Sequence, residues 1–250
     1  MNVTDVPFNR LVSLLSPKID FVIHGGACLA EEAEVYLDNE LQPVFWIEAN
    51  PLLIDSLIDR LSEFNGQVCY EAALWSETGI ALELNIASNL GSSSLLKPLE
   101  HLAVYPQVLF KQSIKVESMT LDHLCLKLDG RGLLVLDTQG AELEVLKGST
   151  ETLRKVKFIY VEYSTKELYE SGSTLKSLET FLEGKFSLIF STQSQWLGYG
   201  NALFCEKLPL YQILRIRFSL EFIRLTLEIG YLRRRLIEKI QIIAKNLISK

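Results

Sequence analysis

The chain has 250 residues, 48% of them hydrophobic and 22% charged, with a formal net charge of −6. This composition excludes a disordered chain, and the length fits one sizeable domain with an appendage. No stretch is long and uncharged enough to cross a bilayer, and an acidic body lacks the excess of Lys and Arg that general nucleic-acid affinity requires.

The N-terminus carries Asp5 early and lacks both a basic start and an unbroken apolar core. Residues 1–19 therefore read as an amphipathic helix and not as a signal peptide, with Phe8, Leu11, Val12 and Leu15 inward. The first strand, DFVIH at 20–24, enters HGGACLAEE, a glycine-bearing turn that lets a ligand approach the backbone. It does not match G-x-G-x-x-G, so a purely structural turn is the competing reading. The second strand, VFWIE at 44–48, ends on Glu48. A carboxylate at that place can accept two hydrogen bonds from a ribose diol, a geometry that serves dinucleotides and S-adenosylmethionine alike. Pro51 opens the helix PLLIDSLIDRLSEF, which Asn65 and Gly66 close.

Further strands are expected at 67–73 (QVCYEAA), 80–86 (IALELNI) and 114–118 (IKVES). The segment LLVLDTQGAELEVLKGS follows at 133–149. Leu133 to Leu136 form a run suited to a strand covered on both faces, and Asp137 sits where the carboxyl ends of parallel strands meet a ligand. Gly140 permits a turn into a helix whose inner face is Ala141, Leu143, Val145 and Leu146, with Gly148 as its stop. After KFIYVEY (157–163) and the helix STLKSLETFLEG come two strands, 186–191 and 201–207, joined only by a loop. The pattern predicts an α/β fold: a mostly parallel seven-stranded sheet with helices on its faces and a C-terminal antiparallel hairpin, occupying residues 1–207.

Residues 208–250 hold nine Lys and Arg against three Glu, a net +6 that leaves −12 on the rest. Apolar residues recur every three or four positions from Leu214 to Leu247, which predicts a basic amphipathic helical tail of one or two helices, with Gly230 as the place for a break. Such a stripe packs on the domain, pairs with a second copy as a homo-oligomer, or lies on a membrane. Packing or pairing is the first reading, and peripheral contact with anionic lipid through Arg233, Arg234, Arg235, Lys239, Lys245 and Lys250 the runner-up. Cys28, Cys69, Cys125 and Cys205 are far apart with no CxxC pair, so neither a zinc site nor a disulfide framework is indicated, and a reducing, cytoplasmic setting follows.

Taken together, FVIHGGACLAEEAEVY, VFWIEANP, AALWSETG, SSSLL, LDTQGAELEVLKGS, IYVEYS and GNALF resemble, in order and approximate spacing, the FkbM-type S-adenosylmethionine-dependent methyltransferases, over residues 20–207. The resemblance implies a Rossmann-like class I methyltransferase fold and transfer of a methyl group to a hydroxyl of a saccharide, glycan or related natural product. It also implies roles. His24, Gly25, Gly26 and Ala27 would lie at the methionine end of S-adenosylmethionine, Glu48 would hold the ribose, and Ala72 and Ala73 would lie against adenine. Asp137 would face the transferred methyl with Glu142 and Glu162 nearby, and Ser93, Ser94, Gln139 and Glu142 would border the acceptor. Many members have aspartate at the position of His24 and glycine at that of Ala30.

The chemistry of an alcohol acceptor asks for a general base, because a hydroxyl is a poor nucleophile until its proton is leaving. Asp137 is the first candidate, then Glu162, then His123, which a helix surface also explains. Glu142 has a second explanation as an acidic residue at the positive end of a helix dipole. Trp196, in the polar loop STQSQWLGYGN, is a candidate cover for the acceptor, whereas Trp46 and Trp75 read as core or rim. His24 and His101 have no metal-ligand spacing and the carboxylates form no obvious cation cage, so metal-independent transfer is expected. The rival reading is a degenerate methyltransferase fold serving as a non-catalytic binding or assembly module.

Overall fold

A computed structural model describes residues 6–124, 126–193 and 198–248. Seven strands form one sheet: β1 (Phe21–Gly25), β2 (Val44–Glu48), β3 (Gln67–Glu71), β7 (Gly132–Leu136), β8 (Val156–Ser164), β9 (Phe186–Gln193) and β10 (Tyr199–Glu206). Their order is β3-β2-β1-β7-β8-β10-β9. The first five are parallel, and β10 runs antiparallel to both β8 and β9, closing the sheet with the expected hairpin. This is the Rossmann-like α/β arrangement.

Alternation along the central strands divides the core in two. Val22, Val44, Trp46, Leu133 and Val135 face α1 (Phe8–Leu15), α2 (Ala33–Asp38) and α3 (Ile54–Leu61), meeting Leu11, Val12, Leu15, Tyr36 and Leu57. Phe21, Ile23, Ile47, Leu134 and Leu136 face the other way, onto α5 (Glu142–Lys147) and α6 (Leu175–Leu182) through Val145, Leu146, Leu178 and Leu182. Both faces being covered, β1, β2 and β7 are buried at every position.

Two differences from the expected order shape the site. The predicted strand 67–73 breaks at Ala72, and Ala73–Leu74 becomes a separate strand, β4, pairing with Ser118 and Met119 of β6 (Phe110–Met119). Beside β6 lies β5 (Ala81–Ala87), antiparallel, so the segments at 80–86 and 114–118 build a second, three-stranded sheet. Glu83, Lys115 and Glu117 alternate along these strands, which leaves one face wet and suits a sheet covered on one side only. A short helix, α4 (His101–Val104), lies between β5 and β6.

The tail is one continuous helix, α7 (Leu210–Ile248), unbroken at Gly230. Its beginning belongs to the core: Ile216 and Leu220 are buried with Val12 and Ile189, Ile213 and Ile223 pack against them, and Arg217 donates to the carbonyls of Leu188 and Ile189 on edge strand β9. Among the described residues, no helix is long and apolar enough to cross a membrane.

Candidate active site

Strand order reverses at β1, so the crevice opens beyond the carboxyl ends of β1, β2 and β7, the place where open α/β sheets bind ligands. The crevice has a narrow inner part of about 60 Å³ and a wider outer part of about 350 Å³, which meet at Gly26, Cys28 and Asp137 under Leu90 and Gly91.

The turn after β1 builds the floor. Gly26 has φ +83°, and a Cβ there would stand 1.8 Å from the carbonyl oxygen of Asp137. The N–H groups of Gly26 and Ala27 both donate to the carbonyl of Ile47, and the Asp137 N–H donates to the carbonyl of Gly25 at 3.0 Å. These contacts lock the β1 turn to the ends of β2 and β7. Cys28 and Ala30 also adopt left-handed φ values, +47° and +52°, which accounts for the glycine that many members of the resembled family have at the latter position.

Glu48 ends β2, and its carboxylate is fixed by backbone donors: Oε2 accepts from Cys28 N–H and Oε1 from Asn50 N–H, each at 2.7 Å. Each oxygen keeps a lone pair, enough for a diol. Burial raises its pKa, and the backbone donors oppose the rise. Ile47, Ala72, Leu74 and Leu84 make the apolar walls of this inner part. The small sheet therefore supplies one wall through Leu74 and Leu84.

Across the crevice Asp137 and Glu162 stand at the ends of neighbouring strands, since Leu136 pairs with Val161. Gln139, at φ +52°, bridges them: its Nε2 donates to Asp137 Oδ1 at 2.7 Å and lies 3.4 Å from Glu162 Oε1. Its Oε1 accepts from the Tyr169 hydroxyl at 2.9 Å. Asp137 is exposed to the open crevice, but the protein crowded around its carboxyl raises its pKa against the Gln139 bond, and desolvation with the charges of Asp137 and Glu142 holds Glu162 well above the usual carboxylate range. Two carboxylates so placed oppose each other's ionisation.

Glu142 differs from the expectation that it borders substrate. It is 1% exposed, and its Oε1 accepts from the N–H groups of Thr138 and Gly140, both at 3.0 Å, and from the Thr138 hydroxyl. The carboxylate thus braces the turn beneath Asp137, and its Oε2 has no hydrogen-bond partner among the described residues. Burial above all, then the charge of Asp137, pushes its pKa up to about 7 against the backbone donors. A folded-state value above the unfolded 4.5 means that the folded chain binds the extra proton, so this group's contribution is complete below pH 4.5 and is lost as pH rises through 7. Glu142→Gln should reduce the fall of unfolding free energy across that window by about 2 to 3 kcal/mol, read from denaturant curves at several pH values. An unchanged slope would assign the pH dependence to other carboxylates.

The remaining expected residues divide. Ser93 and Ser94 line the inner part, where Ser94 Oγ donates to the Gln139 carbonyl at 2.7 Å and Ser93 Oγ accepts from Ala87 N–H. Ala27 and His24 line the outer part. His24 stacks on Trp46 with its Nδ1 3.0 Å from the Tyr36 hydroxyl, and burial lowers its pKa to about 3, so the ring is neutral. Gly25 and Ala73 do not line the crevice: Gly25 packs against Leu136 and Leu74, and Ala73 is buried in β4. His123 is removed from it. Its loop is fastened to the far end of α5, where Asp122 N–H donates to the Gly148 carbonyl and the Asp122 carboxylate accepts from Glu151 and Thr152, and the imidazole is left exposed. Trp196 lies outside the described residues. Cys28 and Tyr169 were not expected at the site. Nothing in the sequence around Tyr169 marks it, because it reaches Gln139 from 30 residues away. No group of three or more His, Cys, Asp or Glu able to hold a metal is found among the described residues.

The chain is 30% identical over 181 residues to the 2-O-methyltransferase NoeI of Sinorhizobium fredii, covering 68% of this chain and 73% of that protein. Solved structures that the chain matches include a TehB-like SAM-dependent methyltransferase from Corynebacterium glutamicum (12% identity, 80% of this chain and 86% of that one, TM-score 0.43) and an rRNA methylase from Streptococcus thermophilus (9%, 82% and 98%, TM-score 0.44). Residues 26–221 match the methyltransferase FkbM domain, and the chain belongs to that family of methyltransferases.

Proposed function

We propose that the protein transfers a methyl group from S-adenosylmethionine to a hydroxyl of a saccharide, glycan or related natural product. The observation that carries this reading is the pairing, within one crevice, of a diol-accepting carboxylate, Glu48, with a second carboxylate, Asp137, which Gln139 bridges to Glu162 behind it. The donor fits the residues present: Gly26 lets it approach the backbone, Ile47, Ala72 and Leu74 offer an apolar slot for adenine, and the acidic rim complements a sulfonium. When bound, S-adenosylmethionine supplies an electrophilic methyl group. The O-methyltransferase activity in the name of the 30% identical relative supports oxygen as the acceptor atom.

The chain's own residues do the rest. Holding the acceptor oxygen in line supplies most of the barrier reduction, and Ser93 with the 90–95 segment forms the wall against which an acceptor would be held. Asp137 takes the hydroxyl proton as general base, with Glu162 as the second member of the pair. Gln139 serves both charge states. While Asp137 is ionised the amide N–H₂ donates to it. Once Asp137 carries a proton, the amide reversed end for end would accept a hydrogen bond from the Asp137 carboxyl and donate to Tyr169, whose hydroxyl then donates to the Ser92 carbonyl, 3.0 Å away.

Calorimetry with S-adenosylhomocysteine, followed by labelled S-adenosylmethionine with saccharide acceptors, tests the reading. Glu48→Ala should weaken homocysteine-product binding by about 1 to 3 kcal/mol, the cost of lost charge-assisted hydrogen bonds. Unchanged affinity would remove Glu48 from the donor site. No binding by the intact protein would favour the non-catalytic module.

A further inference from the structure

Helix α7 has two apolar faces. Ile216 and Leu220 look inward, and on the opposite side Tyr211, Leu214, Phe218, Phe222, Leu225 and Ile229 are exposed, Phe218 at 75% and Ile229 at 64%. At 3.6 residues per turn these six positions fall within about 80° of the helix circumference and extend about 27 Å along the axis, a straight stripe left uncovered among the described residues. The sequence continues the spacing at Leu232, Leu236, Ile240, Ile243 and Leu247.

Charge decides what covers it. Arg215 and Arg233, roughly five turns apart, stand on one edge of the stripe. Beside Arg215 a groove between α1 and α7 is shared with Lys18, and neither cation makes an ion pair among the described residues. Lys18 instead donates to its own helix, at the Leu14 carbonyl. A second copy laid along the whole of α7 would bring one +6 segment, 208–250, against another, most of that charge standing in residues 233–250. A negatively charged flat surface meets both features at once: acyl chains receive the aromatic and aliphatic side chains, and phosphate headgroups lie between Lys18 and Arg215.

We propose that the outer face of α7 docks on a bilayer surface containing anionic lipid. The full-length protein should cosediment with phosphatidylcholine vesicles containing phosphatidylserine, do so far less with phosphatidylcholine alone, and release as salt is raised. Lys18→Glu with Arg215→Glu, and separately Phe218→Ser with Phe222→Ser, should each weaken binding by about tenfold or more while leaving the melting temperature and S-adenosylhomocysteine affinity unchanged. These readouts do not depend on methyl transfer, so they stand or fall apart from the proposed activity. Failure of the intact protein to bind anionic vesicles would overturn the proposal. So would a dimer in light scattering that the phenylalanine pair dissolves, since a second copy would then be the occupant.

Discussion

Gly26→Ala should destabilise the protein by about 2 to 5 kcal/mol and abolish most donor affinity. Two penalties combine at this position. A side chain at φ +83° costs what glycine avoids, and the new methyl would stand 1.8 Å from the Asp137 carbonyl oxygen, a backbone atom that cannot swing aside. Relief requires the β1 turn and the end of β7 to separate, which would draw Gly26 away from Ile47 and Asp137 away from Gln139. Denaturant unfolding and calorimetry with S-adenosylhomocysteine measure both effects. A variant with wild-type stability would mean that the turn has another conformation within easy reach.

Asp137→Asn should lower kcat by about 10² to 10⁴-fold, the usual worth of a general base, with donor affinity changed only a few-fold. The isostere keeps the packing and removes the charge. Because that charge raises the Glu162 pKa, the residual rate should also show its acid limb moved to lower pH. A steady-state pH profile of both proteins reads the two outcomes together. If kcat stays within a few-fold, the proton goes elsewhere, and Glu162→Gln becomes the decisive comparison.

The strands that carry the site were legible because both of their faces are covered. Runs such as LLVL and FVI have nowhere to go but the middle of a parallel sheet, and the residue after each run lands at the crevice. The positions of Asp137, Glu162 and Glu48 near the carboxyl ends of their strands were legible in that way. The second sheet was not legible, because alternation in IALELNI and IKVES announces strands without saying which sheet they join. The depth of Glu142 was hidden for a related reason. At a helix start a carboxylate can look outward to solvent or back to the turn, and only the three donors from Thr138 and Gly140 decide between them. His123 misled because its neighbour Asp122 anchors the loop to the wrong end of α5. For α7, sequence spacing gave the helix, but the split between an inward and an outward apolar face appeared only with β9 and α1 in place.

The crevice is built from two kinds of material. On one side the turn after β1, Glu48 and Asp137 are bolted together by main-chain bonds, so the gap in which transfer would occur is set by backbone geometry. On the other side stand Leu74 and Leu84 of the small sheet and the segment from Leu90 to Leu95, joined to the first side mainly through Ser94 and Tyr169. Substitutions in that second wall can reshape the opening without altering the spacing on the first. A lineage built on this plan can therefore exchange one acceptor for another by drift in a single loop and hairpin, and keep its chemistry while doing so.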